Sequence, residues 1–361
     1  MPTAFIAGIN GQDGAYLAHL LLSKNYRVCG SARTETKAAS KTEACAETPA
    51  NRVIEYSNLQ ALSVHEQVEL LPFDLCDMTS LRRALEGCAP DEIYNLAAQS
   101  SVGASWEEPL ETGEVTGMGA ARLMQAAREV CPQARFFQAS SSEMFGRAVP
   151  ATADERNGSV RSGGVKTVDE KTLLCPDNPY GAAKTYAHHL ARSFRESFDM
   201  PISCGILFNH ESPLRGEPFV TRKVTLAVAR IRHGLQDSLR LGNMDVVRDW
   251  GFAGDFVRAM WLMLQNEPGD FIVASGQTRP LRDFVTQAFR CANLNADDYV
   301  QVDPAFFRPV DMAPVIGDAR QSSTRLGWTP QVSFEQTVQL MVEADLNRVA
   351  GKFGAVRYFV E

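Results

Sequence analysis

The sequence opens with a short apolar run at residues 4–7 that leads directly into Gly8-Ile9-Asn10-Gly11-Gln12-Asp13-Gly14, and a helical pattern follows over residues 12–24. Glycine at this spacing permits a tight turn and lets a phosphate approach the backbone N–H groups at a helix N-terminus. The spacing is G-x-x-G-x-x-G rather than G-x-G-x-x-G, and a glycine-rich turn without a ligand is the alternative. The strand–loop–helix context favours a dinucleotide-binding turn.

Strand and helix patterns alternate after this turn. We predict further strands at residues 26–30, 68–73, 92–97, 135–139 and 202–208, and helices at residues 78–87, 117–130 and from residue 179. Strands joined by helical crossovers predict an α/β fold, namely a Rossmann-type doubly wound parallel sheet with ligands at the carboxyl ends of its strands.

The pattern becomes irregular in the C-terminal half, where helices are predicted at residues 221–233, 255–265, 281–292 and 334–349. We therefore predict a nucleotide-binding domain at residues 1–210 and a smaller, mixed substrate domain mainly at 211–361, with C-terminal segments returning to the first. Two connections, 34–65 and 147–172, are long for an α/β fold, where about 2–6 residues are usual. They are interpreted as functional lids or disordered segments.

Composition excludes several classes of protein. The net charge of −7 and the pI near 5.5 argue against nucleic acid as a partner. No apolar run has the length of a membrane span, and the N-terminus has no signal-peptide pattern. The eight cysteines are scattered without a C-x-x-C motif, which favours reduced thiols in the cytoplasm and gives no reason to expect a metal site.

Tyr180 and Lys184 lie four residues apart in a predicted helix, so they share one helix face. A nearby ammonium favours the phenolate and lowers the pKa of a tyrosine from its ordinary value of about 10. Such a tyrosine takes a proton from a hydroxyl group while a nicotinamide takes the hydride. The alternative is an exposed helical pair without function, since the motif is short.

The segment after the fifth predicted strand, residues 138–146, contains Ser140, Ser141 and Glu143. Active sites of open α/β folds lie at such strand ends. Glu143 adds a second base, which oxidation and reduction at a single carbon would not require. The alternative is structural, because Ser140 and Glu143 match a helix capping box.

The residues after the second predicted strand help to distinguish between cofactors. An acidic residue about 20 positions beyond the glycine loop would bind the ribose 2′-hydroxyl of NAD. Arg33 follows this strand instead, and the nearest acid, Glu35, lies beyond it. The sequence therefore favours NADP, with an exposed arginine of no such role as the alternative.

Together these motifs resemble the extended short-chain dehydrogenases/reductases and, more closely, the GDP-mannose 4,6-dehydratase family. The resemblance covers nearly the whole chain and is carried by residues 11–17, 95–100, 205–213, 219–223, 241–245, 248–251 and 306–309. The run Asn209-His210-Glu211-Ser212-Pro213 is specific to this family. Serine at 141 and asparagine at 10 stand where the family usually has threonine. Residues 34–65 differ most, and of the paired arginines that family members carry there only Arg33 remains.

The resemblance implies roles for individual residues. It implies catalysis by Ser141, Glu143, Tyr180 and Lys184. It implies cofactor binding by Gly8, Asn10, Gly11, Gln12, Asp13, Gly14, Arg33, Asp74, Leu75, Leu96, Ala97, Ala98, Ser100, Tyr180, Lys184, Leu207, Asn209, His210 and Arg215. It implies substrate binding by Ser101, Val102, Glu143, Asn209, Val220, Lys223, Leu241, Gly242, Arg248 and Arg308.

The implied activity is NADP-dependent dehydration of GDP-mannose to GDP-4-keto-6-deoxymannose by a homodimer or homotetramer. C4 is transiently oxidised, C5 is deprotonated, the C6 hydroxyl leaves as water and the hydride returns to C6. Three alternatives remain. The first is a 4,6-dehydratase of another nucleotide-hexose or a GDP-heptose, and the second is an epimerase or reductase of the same fold. The third is a regulator that binds NADP without catalysis.

Overall fold

The computed structural model describes residues 1–31, 58–147, 166–307 and 314–359 of the chain. Its strands are Thr3–Ala7 (β1), Arg27–Ser31 (β2), Glu69–Leu70 (β3), Glu92–Asn95 (β4), Arg135–Ser141 (β5), Lys166–Val168 (β6), Ile202–Leu207 (β7), Asn209–Glu211 (β8), Leu239–Leu241 (β9), Val247–Phe252 (β10), Asp270–Val273 (β11), Thr278–Pro280 (β12), Val300–Val302 (β13) and Val315–Gly317 (β14). Its α-helices are Gln12–Ser23 (α1), Asn58–Ala61 (α2), Met78–Cys88 (α3), Val102–Glu107 (α4), Pro109–Thr112 (α5), Gly119–Val130 (α6), Pro179–Phe198 (α7), Val220–Arg232 (α8), Ala253–Leu264 (α9), Leu281–Cys291 (α10), Arg320–Leu326 (α11) and Phe334–Val349 (α12).

Seven parallel strands form the central sheet, in the order β11-β7-β5-β4-β1-β2-β3. The strand order reverses at β1, which pairs with β2 on one side and β4 on the other. Such a reversal leaves a crevice at the carboxyl ends of the strands. The predicted α/β class and doubly wound parallel sheet are confirmed.

Consecutive strand residues point to opposite faces of the sheet, and both faces are covered by helices. Phe5 and Phe136 pack on one face with side chains of α3 and α6, whereas Ile6 and Phe137 pack on the other with side chains of α1 and α9. All four are fully buried. Burial on both faces explains why these strands are continuous apolar runs rather than alternating ones.

A smaller lobe covers the carboxyl edge of the sheet. Helices α8, α10 and α12 pack together around Trp250 of β10. That strand lies in a mixed sheet of order β12-β10-β8, parallel to β8 and antiparallel to β12. Because β8 begins two residues after β7 ends, the chain passes directly from the carboxyl end of β7 into the lobe. The chain then returns to the central sheet through β11, which pairs with β7.

Several predicted boundaries differ from the structure. The strand predicted at 68–73 comprises only Glu69–Leu70, because it pairs with β2 over two residues at the edge of the sheet and both side chains are exposed. The α-helix predicted from residue 117 begins at Gly119, after a π-helical turn at Gly113–Met118. Helices α4 and α11 lacked a clear sequence pattern.

The two long connections are described only in part. Residues 58–65 contain α2, and residues 166–168 form β6, which pairs with β14. Residues 32–57 and 148–165 lie outside the described residues. Within the part of the chain that the structure describes, no helix has the length and apolar character needed to cross a membrane.

Candidate active site

A large cleft lies at the carboxyl edge of the central sheet, between the sheet and the smaller lobe. Its volume is about 2160 Å³, whereas a typical small-molecule pocket has about 300–1,000 Å³. The cleft therefore has room for two ligands of nucleotide size.

Most of the residues predicted from the sequence line this cleft. Those predicted for the cofactor are Gly8, Asn10, Gly11, Gln12, Asp13, Gly14, Asp74, Leu75, Leu96, Ala97, Ala98, Ser100, Leu207, Asn209, His210 and Arg215. Those predicted for the substrate are Ser101, Val102, Val220, Lys223, Leu241, Gly242 and Arg248, again with Asn209. The four predicted for catalysis, Ser141, Glu143, Tyr180 and Lys184, also line it. Arg33 and Arg308 lie outside the described residues.

Two glycines of the turn have no space for a side chain. Gly8 has a φ of +85°, in the left-handed region, and a Cβ atom there would lie 3.0 Å from the backbone nitrogen of Ala97. A Cβ atom on Gly14 would lie 2.6 Å from the Cα atom of Ile9. Glycine at these two positions lets the turn pack closely against the backbone of Ile9 and Ala97. The N-terminus of α1 thereby lies at the cleft, which fits the pyrophosphate of a dinucleotide.

A partly buried ion pair connects this turn to β8. His210 Nε2 lies 2.9 Å from Asp13 Oδ2, and His210 Nδ1 lies 2.7 Å from the Phe208 carbonyl oxygen. Both ring nitrogens thus face acceptors, which favours the doubly protonated imidazolium. Burial opposes this charge, but Asp13 raises the pKa of His210 above its ordinary value. Burial likewise opposes the charge of Asp13, whose pKa His210 nevertheless lowers.

Tyr180 and Lys184 lie on one face of α7, as predicted, but the lysine contacts a different group from the one expected. Its Nζ atom donates a 2.8 Å hydrogen bond to the carbonyl oxygen of Ala139 near the end of β5, and it lies 5.7 Å from the centre of the Tyr180 ring. Lys184 is only 4% exposed, and burial lowers its pKa to about 8. The side chain is therefore still mostly cationic at neutral pH.

The expectation of a lowered tyrosine pKa is wrong for the protein chain. Burial raises the pKa of Tyr180 to about 12, although the hydrogen bond with Ser141 opposes this rise. The negative charge of Glu143 raises the pKa further, and the positive charge of Arg215 lowers it. The chain alone therefore holds the phenol protonated at neutral pH.

The serine-glutamate turn is not the capping box that Ser140 and Glu143 suggested. Strand β5 continues to Ser141, so the chain turns one residue later and forms only a 3-10 turn, Ser142–Met144. The hydroxyl of Ser141 accepts a hydrogen bond from the Glu143 backbone N–H. Ser140 instead faces His188, with 2.9 Å between its Oγ and the ring Nδ1.

The carboxylate of Glu143 faces α7. It is held there by Asn178, a residue that the sequence analysis did not predict for the site. Asn178 donates a 2.9 Å hydrogen bond from Nδ2 to Glu143 Oε2. It is also the N-cap of α7, because its Oδ1 accepts from the Gly181 backbone N–H at 2.8 Å. Asparagine directly before Pro179 is a typical helix start and could have indicated this position. Its contact with Glu143, 35 positions away, has no local sequence signal.

Basic side chains line the opposite side of the cleft, on the smaller lobe. Lys223 Nζ donates to the Arg240 carbonyl oxygen at 2.9 Å and lies 4.4 Å from the centre of the Phe306 ring. Arg248 lies on β10, and its side chain donates to the Val247 carbonyl oxygen. Cations on separate elements suit the distributed negative charge of a diphosphate.

Among the described residues, one trio could act as metal ligands. Ligand atoms of His188, Cys204 and Asp270 lie within 4.8 Å of one another. The Asp270 carboxylate, however, is 3.0 Å from Arg195 and 3.5 Å from Arg192, and these two cations balance its charge. Burial lowers the pKa of His188 to about 4 and raises that of the Cys204 thiol. We interpret the trio as a buried polar network.

Solved structures share this architecture. The RMD protein from Pseudomonas aeruginosa complexed with NADPH is 20% identical, has a TM-score of 0.73, and matches over 97% of this chain and 99% of its own. The UDP-glucose 4-epimerase of Thermus thermophilus in complex with NAD is 21% identical, has a TM-score of 0.75, and matches over 98% of this chain and all of its own. At these identities the structures support the fold alone.

Sequence relatives are closer. The GDP-mannose 4,6 dehydratase family model matches residues 5–341. GDP-mannose 4,6 dehydratase 2 of Arabidopsis thaliana is 42% identical over 349 residues, 95% of this chain and 86% of the relative. The GDP-mannose 4,6-dehydratase of Yersinia enterocolitica is 38% identical over an alignment of 380 positions, gaps included, which covers 96% of this chain and 95% of the relative. The chain therefore belongs to the GDP-mannose 4,6-dehydratase family.

Proposed function

We propose that this protein dehydrates GDP-mannose to GDP-4-keto-6-deoxymannose. The observation that carries the proposal is that Tyr180, Lys184 and Glu143 line one cleft. A redox pair alone would serve a reductase or an epimerase, whereas a separate carboxylate supplies the base that loss of water requires. The named activities of the relatives from Arabidopsis thaliana and Yersinia enterocolitica support the same reaction.

The cofactor supplies one part of this chemistry: a nicotinamide, when bound, accepts a hydride from C4 of the sugar and later returns it to C6. The glycine turn and the N-terminus of α1, which line the cleft, would hold its pyrophosphate. Asp13 and His210 would fix that turn against β8.

Tyr180 and Lys184 handle the proton of the first step. Tyr180 takes the proton from the C4 hydroxyl, and Ser141 donates a hydrogen bond to the oxygen where charge develops. Because the chain alone raises the pKa of Tyr180 to about 12, the phenol needs additional positive charge in the cleft before it acts as a base. An oxidised nicotinamide, when bound, would add such charge beside Lys184, which is mostly protonated at neutral pH.

Glu143 performs the elimination. A ketone at C4 acidifies the C5 proton, the carboxylate of Glu143 removes it, and the resulting carboxylic acid gives a proton to the C6 hydroxyl, which leaves as water. C5 takes up a proton from solvent when C6 is reduced. Its position on the turn directly after β5 keeps it close to Ser141 in the chain yet outside the buried interior. The two proton transfers are thus assigned to different side chains.

We propose that NADP is the cofactor, as Arg33 indicates. Extraction of the nucleotide from purified protein tests this proposal, and a content of mostly NAD would contradict it. Arg33→Glu is expected to weaken NADP binding far more than NAD binding, because a 2′-phosphate would meet a carboxylate. Titration of the variant with both nucleotides measures the change.

We propose that Lys223, Arg248 and Arg308 bind the diphosphate of the GDP-sugar, with Asn209 near the sugar. Lys223 and Arg248 lie on different elements of the smaller lobe and line the cleft. Lys223→Met is expected to raise KM for the nucleotide-sugar with a smaller change in kcat, since a charge that contacts a remote diphosphate contributes to binding. An unchanged KM would contradict the role.

We also propose that the protein is a homodimer or homotetramer. Trp106 on α4, Leu110 on α5, Met118 just before α6 and Tyr186 on α7 are exposed apolar side chains, and α4 and α5 pack against α7. Exposed apolar surface of this kind marks association sites. Light scattering is expected to give a dimer or larger for the wild type and a smaller species for Leu110→Glu. We further propose a cytoplasmic location, where free cysteines remain reduced.

The reaction is tested by incubating the protein with GDP-mannose, other GDP-sugars including a GDP-heptose, and UDP- and dTDP-hexoses, without added reductant. GDP-mannose is expected to yield a product lighter by one water. Turnover of another nucleotide-sugar, without turnover of GDP-mannose, would contradict GDP-mannose as the substrate. Conversion without a change of mass would point to an epimerase, and a need for stoichiometric NADPH would point to a reductase.

A further inference from the structure

Asn178 connects the start of the redox helix to the proposed elimination base. It lies two residues before Tyr180 and is 8% exposed. Its Oδ1 accepts from the Gly181 N–H at 2.8 Å, and its Nδ2 donates to Glu143 Oε2 at 2.9 Å. A cap of α7 alone would need only the first of these bonds.

The helix end determines which way the amide points. The backbone N–H of Gly181 is a donor only, so the oxygen of the Asn178 side chain must face it. The NH₂ group is then directed at Glu143, whose carboxylate must accept. The orientation needed to hold an ionised base is therefore set by the first turn of α7.

The backbone around this contact is also closely packed. A Cβ atom on Gly181 would lie 2.6 Å from the Glu143 carbonyl oxygen. The turn that carries Glu143 pairs with the segment before α7, since the Cys175 N–H donates to the Met144 carbonyl and the Arg147 N–H to the Cys175 carbonyl. The main chains of Tyr180 and Glu143 are thus fixed relative to each other, and the Asn178 amide extends this order to the carboxylate.

The same NH₂ group also lies between two negative charges. It is 3.2 Å from Asp177 Oδ1 as well as 2.9 Å from Glu143 Oε2. A donor shared by two carboxylates lowers their mutual repulsion. Without this donor, repulsion between the two carboxylates would turn the Glu143 side chain away from Asp177.

We propose that Asn178 is a positioning residue for the elimination step. It holds the Glu143 carboxylate in the orientation that removes the C5 proton, while the redox step depends on Tyr180 and Lys184. This role rests on the proposed dehydratase function and adds to it a side chain that is not among those lining the cleft.

Two variants separate this role from helix capping. Asn178→Ser and Asn178→Asp both keep an oxygen that caps α7. Asn178→Ser removes the Nδ2 donor to Glu143 and leaves a shorter side chain with one hydroxyl, whose oxygen is used by the cap. Asn178→Asp replaces the donor with a third carboxylate beside those of Glu143 and Asp177. Ser333→Ala, which removes the N-cap of α12, is the control for a lost cap elsewhere.

The measurement is a single turnover of cofactor-loaded protein with GDP-mannose, in which absorbance at 340 nm reports oxidation and product mass reports loss of water. For Asn178→Ser we expect oxidation within about twofold of wild type and product formation slower by roughly 10–100-fold, because misplacing a reacting group by about 1 Å costs up to about 10²-fold. Asn178→Asp is expected to lose more of the second step. Ser333→Ala is expected to lower Tm and leave the ratio of the two rates unchanged.

Equal losses in both steps, or wild-type rates in Asn178→Ser, would show that Asn178 only caps α7 and would overturn the proposal. A wild-type protein that oxidises and dehydrates no nucleotide-sugar would overturn the proposed function itself and this role with it. The two failures are distinguishable because the first appears only in the variants.

Discussion

The redox pair and the glutamate line the same cleft, but the fold holds them in different ways. Tyr180 and Lys184 lie on a long helix, and the buried ammonium of Lys184 donates to the carbonyl of Ala139. Glu143 lies on a three-residue turn, is partly exposed, and is oriented by the amide of Asn178. Burial raises the pKa of Tyr180 and lowers that of Lys184, so it favours the neutral form of both.

The difference indicates what each step needs. Proton transfer coupled to hydride movement benefits from an enclosed site where added charge has a large effect on the phenol. Removal of the C5 proton needs a carboxylate held in one orientation, and the Asn178 amide donor holds Glu143 in this way. Mutations at the two places should therefore disturb different steps.

The largest effect is expected for Tyr180→Phe. This change removes the proton acceptor of the first step, so neither a ketone nor reduced cofactor should form, and turnover should fall by roughly 10³-fold. Absorbance at 340 nm during a single turnover checks this outcome. Reduced cofactor forming at the wild-type rate would mean that another group accepts the C4 proton.

Glu143→Gln is expected to have a smaller and more selective effect. Glutamine keeps the shape and can still accept from Asn178, but it takes no proton, so dehydration should fall by roughly 10²-fold or more while slow oxidation persists. Mass analysis of the sugar together with the 340 nm signal separates the two steps. Near-normal dehydration in this variant would show that Glu143 has a structural role in the turn and is not the base.

Lys184→Met tests how much the burial of the Lys184 ammonium destabilises the folded protein. The folded pKa of Lys184, about 8, lies below its ordinary value of 10.5, a shift that corresponds to about 3 kcal/mol. Below pH 8 the lysine is charged in both folded and unfolded states and the full cost is present. Between pH 8 and 10.5 the unfolded state binds more protons, so the wild type gains stability relative to the variant as pH rises.

Denaturant unfolding of both proteins from pH 7 to 10.5 measures this difference. We expect the difference in the free energy of unfolding, Lys184→Met minus wild type, to be largest near pH 7 and to decrease above pH 8. A difference that is constant with pH would show that the ammonium is not buried as described.

The parts of the site that are contiguous in sequence were predictable. The glycine turn is read directly from Gly8, Gly11 and Gly14, because the three glycines lie within one short segment and the close packing of Gly8 and Gly14 leaves no space for a side chain. The shared face of Tyr180 and Lys184 follows from helix periodicity in the same way. The ends of β5 and β7 could be placed because parallel strands bring their carboxyl ends to one edge.

The remaining features depend on contacts between distant segments. Nothing near Glu143 in sequence indicates that Asn178 would orient it, and nothing near Ser140 indicates that its hydroxyl would face His188. The direction of the Tyr180 pKa shift was wrong because burial, which outweighs the nearby charges, is a property of the assembled fold. The strand predicted at 68–73 is shorter in the structure for a similar reason, since its length is set by pairing with β2.

The central claim is that one cleft first oxidises C4 and then eliminates water, with the redox pair and Glu143 acting in turn. The most direct measurement uses GDP-mannose deuterated at C4 and locates the label in the product by NMR and mass spectrometry. We predict that the label appears at C6, that solvent deuterium enters at C5 in a parallel experiment in D₂O, and that no NADPH is consumed over many turnovers. A label that stays at C4, or leaves with stoichiometric consumption of NADPH, would contradict the claim.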